Sequence, residues 1–212
     1  MKPENQDYLL LSLGIIISAL TVYGWLNLPD QIAIHFNAAG EADGFADKTT
    51  GLLTIPLIST GLYLLFKLIP RIDPLGENIS EFQETYEKLV VVLLGFLAYI
   101  QTLIIFWNLD ASFTLNQALA PAIAVLYYFM GEVIEEAEQN WFIGIRTPWT
   151  LSDEEVWKKT HERSGPLFKI AAVAALAAAV VPEYLIALTV APALAVSVYA
   201  VLYSYREYQK QQ

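Results

Sequence analysis

The stretch LVVVLLGFLAYIQTLIIFWNL, residues 89–109, carries no charged side chain and is long enough to cross a hydrocarbon layer about 30 Å thick. Five more apolar blocks of similar length occupy residues 8–26, 51–69, 117–134, 166–182 and 184–204. The blocks are continuously apolar rather than alternating, and only helices or closed barrels satisfy their backbone polar groups in lipid. The sequence therefore predicts an all-α, polytopic membrane protein with six transmembrane helices in a single domain, residues 1–212.

The basic residues predict how these spans are oriented. Lys and Arg in short loops stay on the cytoplasmic side of a membrane, whereas Asp and Glu contribute little. The segment before the first block is more acidic than basic and lacks a small-residue cleavage site, so the block is interpreted as a retained span. With the N-terminus inside, Lys48 alone lies outside, and the inner basic residues are Lys2, Lys67, Arg71, Lys88, Arg146, Lys158, Lys159, Arg163, Lys169, Arg206 and Lys210. Both termini of a multi-pass cell-membrane protein are therefore predicted to be cytoplasmic.

The composition excludes several classes of function. A net charge of -10 argues against a basic surface for nucleic acid, and the absence of cysteine excludes disulfides and thiolate metal sites. No His-Glu-x-x-His or Gly-x-Ser-x-Gly arrangement occurs, and His35 and His161 are predicted on opposite sides of the membrane. His161 with Glu132, Glu135 and Glu136 is a weak metal-site hypothesis, because one histidine among acids is little evidence. The sequence predicts no enzyme, no catalytic residue, no cofactor and no metal site.

Residues 27–50, which we call the outer loop, follow the first span. Ile32, Ile34 and Phe36 alternate with more polar neighbours, as in a short half-buried strand, and Gly40 and Gly44 bracket a turn at 41–43. The pattern predicts a small extracytoplasmic hairpin, in which Lys48 pairs with Asp43 or Asp47. The candidate ligand-binding residues of this loop are His35, Phe36, Asn37, Gly40, Asp43 and Lys48.

The remaining connections give four further predictions. Asn78 followed by Glu81 predicts a helix start, from which the third span extends as one long helix. The fourth span runs into an acidic stretch without a breaker and is expected to project into the cytoplasm as far as Glu138. Gly165-Pro166 predicts the entry to the fifth span, and Pro182-Glu183 predicts a tight outer turn between spans five and six.

Residues 132–165, which we call the signature loop, are the most distinctive polar segment. Thr147 precedes Pro148 and should be extended, so the chain is expected to turn sharply after Arg146. Ser152 with Glu155 predicts a capping box, and with a Leu151–Val156 staple it starts a helix at Asp153. The residues expected to share one face of that helix are Val156, Trp157, Thr160, His161 and Ser164.

Two kinds of side chain in the signature loop suit a membrane surface. Trp141, Trp149 and Trp157 are typical of the interface, where they either anchor the loop to lipid headgroups or belong to a re-entrant element. The guanidinium of Arg146 can pair with a lipid phosphate, with glutamates at the end of the fourth span, or with the carboxylate of a partner. These alternatives remain open from the sequence.

The same segment carries a resemblance to a known family, through Asn140, Gly144, Ile145, Arg146, Thr147, Pro148, Trp149, Thr150, Leu151, Trp157 and His161. The chain resembles, over nearly its whole length, the SdpI family of membrane immunity proteins for the sporulation-delaying killing factor. The outer loop is similar to a second, uncharacterised element near the front of these proteins, through Pro29, His35, Phe36, Gly40, Gly44 and Lys48.

The resemblance implies a membrane immunity or signal-transducing protein. Its expected partners are a secreted peptide toxin at the outer loop, a cytoplasmic transcriptional repressor and membrane lipid, with no direct contact to nucleic acid. The candidate signalling and partner-binding residues are Asn140, Gly144, Arg146, Thr147, Pro148, Trp149, Thr150, Trp157 and His161. The alternative is a transporter or channel for small solutes or ions, since polar residues inside spans can line a path. Those residues, Ser12, Ser18, Thr21, Ser59, Thr60, Gln101 and Thr102, are more typical of helix packing.

Overall fold

The computed structural model describes residues 3–211, with side chains from Gln6 onward. Over this part the chain is mostly helical, and it contains one antiparallel two-stranded sheet. The elements are α1 (Pro3–Asn27), β1 (Gln31–Phe36), β2 (Ala42–Asp47), α2 (Lys48–Ile72), α3 (Gly76–Glu81), α4 (Gln83–Asn108), α5 (Leu115–Glu136), α6 (Pro148–Ser152), α7 (Glu154–Ala177), a 3₁₀ turn (Pro182–Tyr184) and α8 (Leu185–Gln209). A helical membrane fold with a small hairpin after the first helix is therefore confirmed.

Five of these segments are long and apolar enough to cross a membrane: Gln6–Asn27, Lys48–Ile72, Gln83–Asn108, Leu115–Glu136 and Pro182–Gln209. The fifth of the six predicted spans begins within α7, which is not among them because its first two-thirds carry several charges, Glu162, Arg163 and Lys169 included. The apolar remainder of α7 packs against α5 and forms a hairpin with α8 across the 3₁₀ turn. The number of spans and the orientation of the termini stay predictions.

The helical bundle has two polar ends. We call them the hairpin end, where β1 and β2 lie, and the signature end, where the signature loop lies. At the hairpin end, Asn116 of α5 donates to the carbonyls of Ala38 and Pro182, so the sheet and the 3₁₀ turn meet. At the signature end, Asp73 accepts a hydrogen bond from the Trp141 amide. The outer loop and the signature loop consequently lie at opposite ends of the helices.

Helix α2 contains two prolines, each of which leaves a carbonyl one turn earlier without its helical N–H. Pro56 frees the carbonyl of Leu52, and the fully buried Gln101 of α4 donates to it over 3.3 Å. Pro70 frees the carbonyl of Phe66, and the Tyr86 hydroxyl of α4 donates to it over 2.6 Å. In lipid a freed carbonyl has no water to accept from, so side chains of α4 stabilise the interrupted α2.

Replacing Tyr86 by Phe should lower the free energy of unfolding by about 0.6 kcal/mol, the average for interhelical hydrogen bonds in membranes, and by no more than about 1.7 kcal/mol. The ring stays packed while the freed carbonyl loses its donor. The measurement is unfolding of the purified protein in mixed micelles. Tyr99→Phe is the matched control, because the Tyr99 hydroxyl donates to Ala118, whose carbonyl is not freed by a proline. Equal losses in the two variants would contradict this role for Tyr86.

Most other polar side chains of the spans bond within their own helix. Five donate to the carbonyl four residues earlier: Ser12, Ser18, Thr21, Thr60 and Thr102. Gln101 bridges two helices instead of facing an opening. This pattern is that of helix packing and not of a polar path through the spans.

Helices α5 and α7 approach closely at Gly131 and Gly165. A Cβ at Gly131 would lie 2.7 Å from the carbonyl oxygen of Gly165, so the contact depends on glycine at that position. Beside it, Lys169 of α7 forms ion pairs with Glu132 and Glu135 of α5, the latter at 2.6 Å. The acidic end of α5 is thus held against α7 instead of projecting freely into solvent.

Three predictions for the connections are wrong in detail. The helix before the third span is interrupted at Phe82, and the Asn78 side chain donates to the Gln139 carbonyl instead of capping it. Helix α5 ends at Glu136, short of Glu138, where Ala137 turns to extended backbone. Helix α7 passes straight through Pro166, so Gly165-Pro166 does not begin an element.

Candidate functional site

The outer loop is a hairpin with an irregular register. Gln31 pairs with Asp47 and Ala33 with Phe45, but bulges on either side of His35 shift the pattern. Ile32 and Ala33 are both fully buried and Ile34 is exposed, so the predicted alternation holds only in part. The turn spans residues 37–40, before the predicted Glu41–Asp43, because the Asn37 side chain accepts from two amides there.

The hairpin is fixed to helix α4. The Asn108 side chain accepts from the Ala33 amide at 2.8 Å and donates to its carbonyl at 2.9 Å. Phe36 packs edge-on against Trp107, with ring centroids 5.0 Å apart. Because backbone and side chain are both engaged, movement of the hairpin has to involve the end of α4.

His35 and Asp43 form the exposed polar pair of the hairpin. Their Nδ1 and Oδ1 atoms lie 2.6 Å apart, and the His35 side chain is 73% exposed. The two side chains face out, so they are available to a ligand that approaches this end of the bundle.

The other candidate residues of the outer loop are occupied by structural contacts. Asn37 and Gly40 build the turn, where the Gly40 amide donates to the Asn37 carbonyl. Lys48 donates to the Leu28 carbonyl at 3.0 Å and lies 3.6 Å from Asp30. The predicted pairing of Lys48 with Asp43 or Asp47 is therefore wrong, since Asp47 caps α2 through the Thr50 amide.

Asn140 organises the first half of the signature loop. It is fully buried, its amide nitrogen donates to the carbonyls of Glu138 and Ile143, and its oxygen accepts from the amides of Phe142 and Ile143. Four hydrogen bonds from one side chain replace the backbone partners that an irregular loop lacks. Asn140 consequently holds the backbone of this part of the loop in place through buried hydrogen bonds.

Gly144 and His161 form a second contact inside the loop. Gly144 has φ +118°, and a Cβ there would lie 2.5 Å from Nε2 of His161. That nitrogen accepts from the Ile145 amide at 2.9 Å, and Nδ1 lies 2.9 Å from the Trp157 carbonyl. Burial lowers the pKa of His161 to about 4, so the ring is neutral at physiological pH.

Trp157 is the largest of the fully buried side chains. Its ring stacks on His161 with centroids 4.0 Å apart, and its Nε1 donates to the Ala137 carbonyl at 2.7 Å. The prediction that it lies at the membrane interface is wrong. The helical face that carries it is confirmed, because Val156, Trp157, Thr160, His161 and Ser164 are all buried.

The turn after Arg146 is built by two threonines. Thr147 is extended, as predicted, and it forms a capping box with Thr150 at the start of α6, which begins with Pro148. The Thr147 hydroxyl also donates to Ser204 of α8 at 3.0 Å. The next helix is capped by Asp153, whose side chain accepts from the Val156 amide, so the predicted Ser152 capping box is wrong.

Arg146, Pro148 and Trp149 are the candidate residues that reach the surface of the loop. Arg146 is exposed, and its guanidinium donates to the Trp141 carbonyl at 2.7 Å. Trp149 is half-buried and packs on Tyr205 of α8, at 5.0 Å between centroids. A macromolecular partner that meets the loop would touch these three side chains and not the buried ones.

The glutamates near the loop are not gathered around His161. Both imidazole nitrogens already face backbone groups, and Glu132 and Glu135 contact Lys169. Within residues 3–211 no group of three or more His, Asp or Glu side chains is placed to hold a metal ion. The hypothesis of a metal site on His161 and these glutamates is therefore not supported by the geometry.

Sequence reasoning missed the residues that tie the loop to the helices. Asp73, which is buried, accepts from the Trp141 amide, and Gln139 donates to the Thr150 carbonyl at 2.7 Å. Ser204 of α8 receives the Thr147 hydroxyl. These partners lie far from the loop in sequence or are ordinary polar residues within it, so no local pattern marks them.

Comparisons with known proteins match both ends of the chain. Residues 136–204 match the SdpI/YfhL protein family, and residues 13–60 match a domain of unknown function (DUF1648). The chain is also similar to "Immunity protein SdpI" of Bacillus subtilis (strain 168), with 25% identity over 211 residues, 99% of this chain and 98% of that protein. The resemblance to the SdpI family is confirmed. No solved structure matches the chain.

The two matched regions coincide with the two polar elements. The SdpI match begins at the end of α5 and takes in most of the signature loop with α7 and most of α8. The other match takes in most of α1, the hairpin and the first half of α2. With its long apolar helices and its similarity to SdpI, the chain is a multi-pass membrane protein.

Proposed function

We propose that this chain is an SdpI-like immunity and signal-transducing protein of the cell membrane, with six spans and both termini in the cytoplasm. The observation that carries the proposal is the end-to-end similarity to Immunity protein SdpI, which extends over 99% of the chain. On this proposal the protein confers resistance to a secreted antimicrobial peptide, and it holds a cytoplasmic repressor at the membrane when that peptide is present.

The arrangement of the two polar elements supports this proposal. The exposed His35–Asp43 pair lies at the hairpin end, and the exposed Arg146 lies at the signature end. Signalling between them requires two states of the protein, one of which binds the peptide better. The hairpin would meet the peptide, and the signature loop would meet the repressor.

Helix α4 gives a physical connection between the two sites. Its last residue, Asn108, bonds to the hairpin backbone, and near its start Thr85 donates to Glu136, at the end of α5 that leads into the signature loop. Between them, Tyr86 and Gln101 bond to freed carbonyls of α2. A shift of the hairpin therefore has a hydrogen-bonded route to the signature loop, and both sites can bias one equilibrium.

The buried and exposed candidate residues have different proposed roles. Arg146, Pro148 and Trp149 would contact the repressor. Gly144 and four buried side chains, Asn140, Thr147, Thr150 and Trp157, would position that surface together with the buried His161. Substitution of an exposed residue should therefore change signalling without changing stability, whereas substitution of a buried one should change both.

The test is survival of a sensitive host that expresses the protein and is challenged with the killing-factor peptide, together with a reporter of repressor release. We expect wild type to protect, His35→Ala to lose protection, and Arg146→Ala to keep protection but lose signalling. The matched controls are the exposed neighbours Gln31→Ala and Arg206→Ala, which should behave as wild type.

Membrane abundance is measured for every variant, so that a loss of insertion is not counted as a loss of function. No protection by well-inserted wild type would overturn the immunity role. Ligand-dependent ion flux in proteoliposomes would instead favour the transporter alternative.

A further inference from the structure

A cavity of about 440 Å³ lies beneath the signature loop, between α4, α5, α7 and α8. Its volume is within the range of small-molecule sites, about 300–1,000 Å³. Most of its lining is apolar, including Leu89, Val133, Phe168 and Ala200, which are all buried. Arg146 is the one charged side chain among the described residues that line it. The cavity thus combines an apolar interior with a single cation.

The guanidinium of Arg146 has donors to spare. It donates to the Trp141 carbonyl, and within residues 3–211 no carboxylate forms an ion pair with it. This lack of a carboxylate partner is local to Arg146, because the whole chain carries 22 acidic and 12 basic residues. Two acidic positions at this end, Glu135 and Glu207, are already paired with lysines. Arg146 is therefore available to an anion from outside the chain.

The surroundings of Arg146 are those expected of a residue at a membrane surface. Trp141, whose carbonyl binds Arg146, is 48% exposed, and exposed tryptophans are enriched where hydrocarbon meets water. Val201 of α8 lines the cavity and is 44% exposed on the apolar outer face of that helix. The cavity accordingly has an exposed apolar side at Val201 and a cationic side at Arg146, an arrangement that suits the boundary between hydrocarbon and headgroups.

We propose that this cavity binds one anionic phospholipid, with an acyl chain among Leu89, Val133 and Phe168 and the phosphate on Arg146. A soluble anion would use the guanidinium but would leave the apolar interior without a partner. A neutral lipid would fill the interior but would not use the guanidinium. An anionic phospholipid fills the apolar interior and also binds the guanidinium, through a charge-assisted contact. The site shares Arg146 with the surface proposed for the repressor, but lipid binding itself requires neither the peptide nor the repressor.

The first test uses the full-length wild-type protein in discs of phosphatidylcholine, into which phosphatidylglycerol is titrated. A ligand that binds the folded state raises Tm, so Tm should rise with phosphatidylglycerol and not with additional phosphatidylcholine. Native mass spectrometry should retain one phosphatidylglycerol per protein. Glycerol phosphate and inorganic phosphate, added at matched concentration, should give no comparable rise.

The second test separates headgroup from chain. Arg146→Gln should weaken apparent affinity for phosphatidylglycerol by about tenfold or more, because one charge-assisted hydrogen bond is lost. Val201→Trp should obstruct the cavity and reduce retention of the lipid, and Val201 is suited to this change because its side chain is exposed. The matched controls are Arg206→Gln and Val198→Trp, an exposed arginine and an exposed valine of α8 that do not line the cavity.

Three results would overturn the proposal. Equal stabilisation by phosphatidylcholine would mean that the site does not select a headgroup. Equal stabilisation by inorganic phosphate would mean that Arg146 binds a soluble anion and the cavity takes no chain. Equal losses in Arg206→Gln and Arg146→Gln would mean that the lipid is attracted by general surface charge.

Discussion

Trp157→Ala should lower the free energy of unfolding by about 3–5 kcal/mol, the range for removing a large aromatic side chain from a packed core. The indole is 1% exposed and packs with Phe82, Tyr86 and Ala137 in the largest apolar cluster at the signature end. Its removal leaves the Ala137 carbonyl without a donor and one face of His161 without its stacking partner. The new cavity, the lost hydrogen bond and the lost stacking contact all affect the same site. Their costs therefore combine in this one substitution.

Chemical unfolding in mixed micelles measures this effect, and two variants calibrate it. Trp157→Phe keeps an apolar ring but removes the N–H, so it should cost about 1–3 kcal/mol for the unsatisfied carbonyl. Trp141→Ala, at an exposed tryptophan of the same loop, should have a smaller effect than either. A loss of less than 1 kcal/mol in Trp157→Ala would contradict the assignment of Trp157 as the core of the signature loop.

The helices of this fold were predictable because their signal is local. Apolar runs of membrane-crossing length gave the approximate bounds of the other long helices, whereas α7 joins the helix predicted to start at Asp153 to the span predicted from residue 166. The two were predicted as separate helices because proline usually breaks a helix by removing an N–H. Here Pro166 and Glu162, whose carbonyl is freed, are both exposed, so the carbonyl does not need a partner from the helix.

The capping of the signature loop shows why its details were less predictable. Ser152 and Asp153 are adjacent, and either can cap a helix. The sequence pattern favoured Ser152 with Glu155, but the Thr147–Thr150 capping box starts α6 early enough to include Ser152. Asp153 is then the first residue free to cap α7. Which of the two residues caps α7 therefore depends on the neighbouring short helix α6 and not on the intrinsic capping preference of either residue.

The distinction between contact and positioning residues could not come from the sequence. Trp141 and Trp157 are the same residue type within one loop, yet one is exposed and the other is the largest of the fully buried side chains. What separates them is packing against α3 and α4, through Ile79 and Tyr86, which lie far along the chain. Sequence indicated that this loop was distinctive, and tertiary contacts decided which of its residues face outward.

Acidification should destabilise the protein through His161. Burial lowers the pKa of the folded-state imidazole to about 4, compared with about 6.5 in an unfolded chain. Between these values the unfolded state binds more protons, so stability is complete above about pH 6.5 and falls as the pH decreases toward 4. The slope is about 1.4 kcal/mol per pH unit, which gives a total loss of about 3 kcal/mol. The physical cause is that protonated His161 can no longer accept from the Ile145 amide and carries its charge in a buried site.

His161→Gln isolates this contribution from the carboxylates that also titrate on acidification. Glutamine is neutral, and its side-chain oxygen can accept from the Ile145 amide, so the variant should lose some stability at pH 7.5 but less between pH 6.5 and 4. The difference in unfolding free energy between wild type and variant should therefore shrink, and can change sign, as pH falls. His35→Gln, at the exposed histidine of the hairpin, is the control for the same replacement outside the signature loop. Parallel curves for wild type and His161→Gln would mean that His161 is protonated without cost in the folded protein, which would contradict its place as a neutral acceptor inside the signature loop.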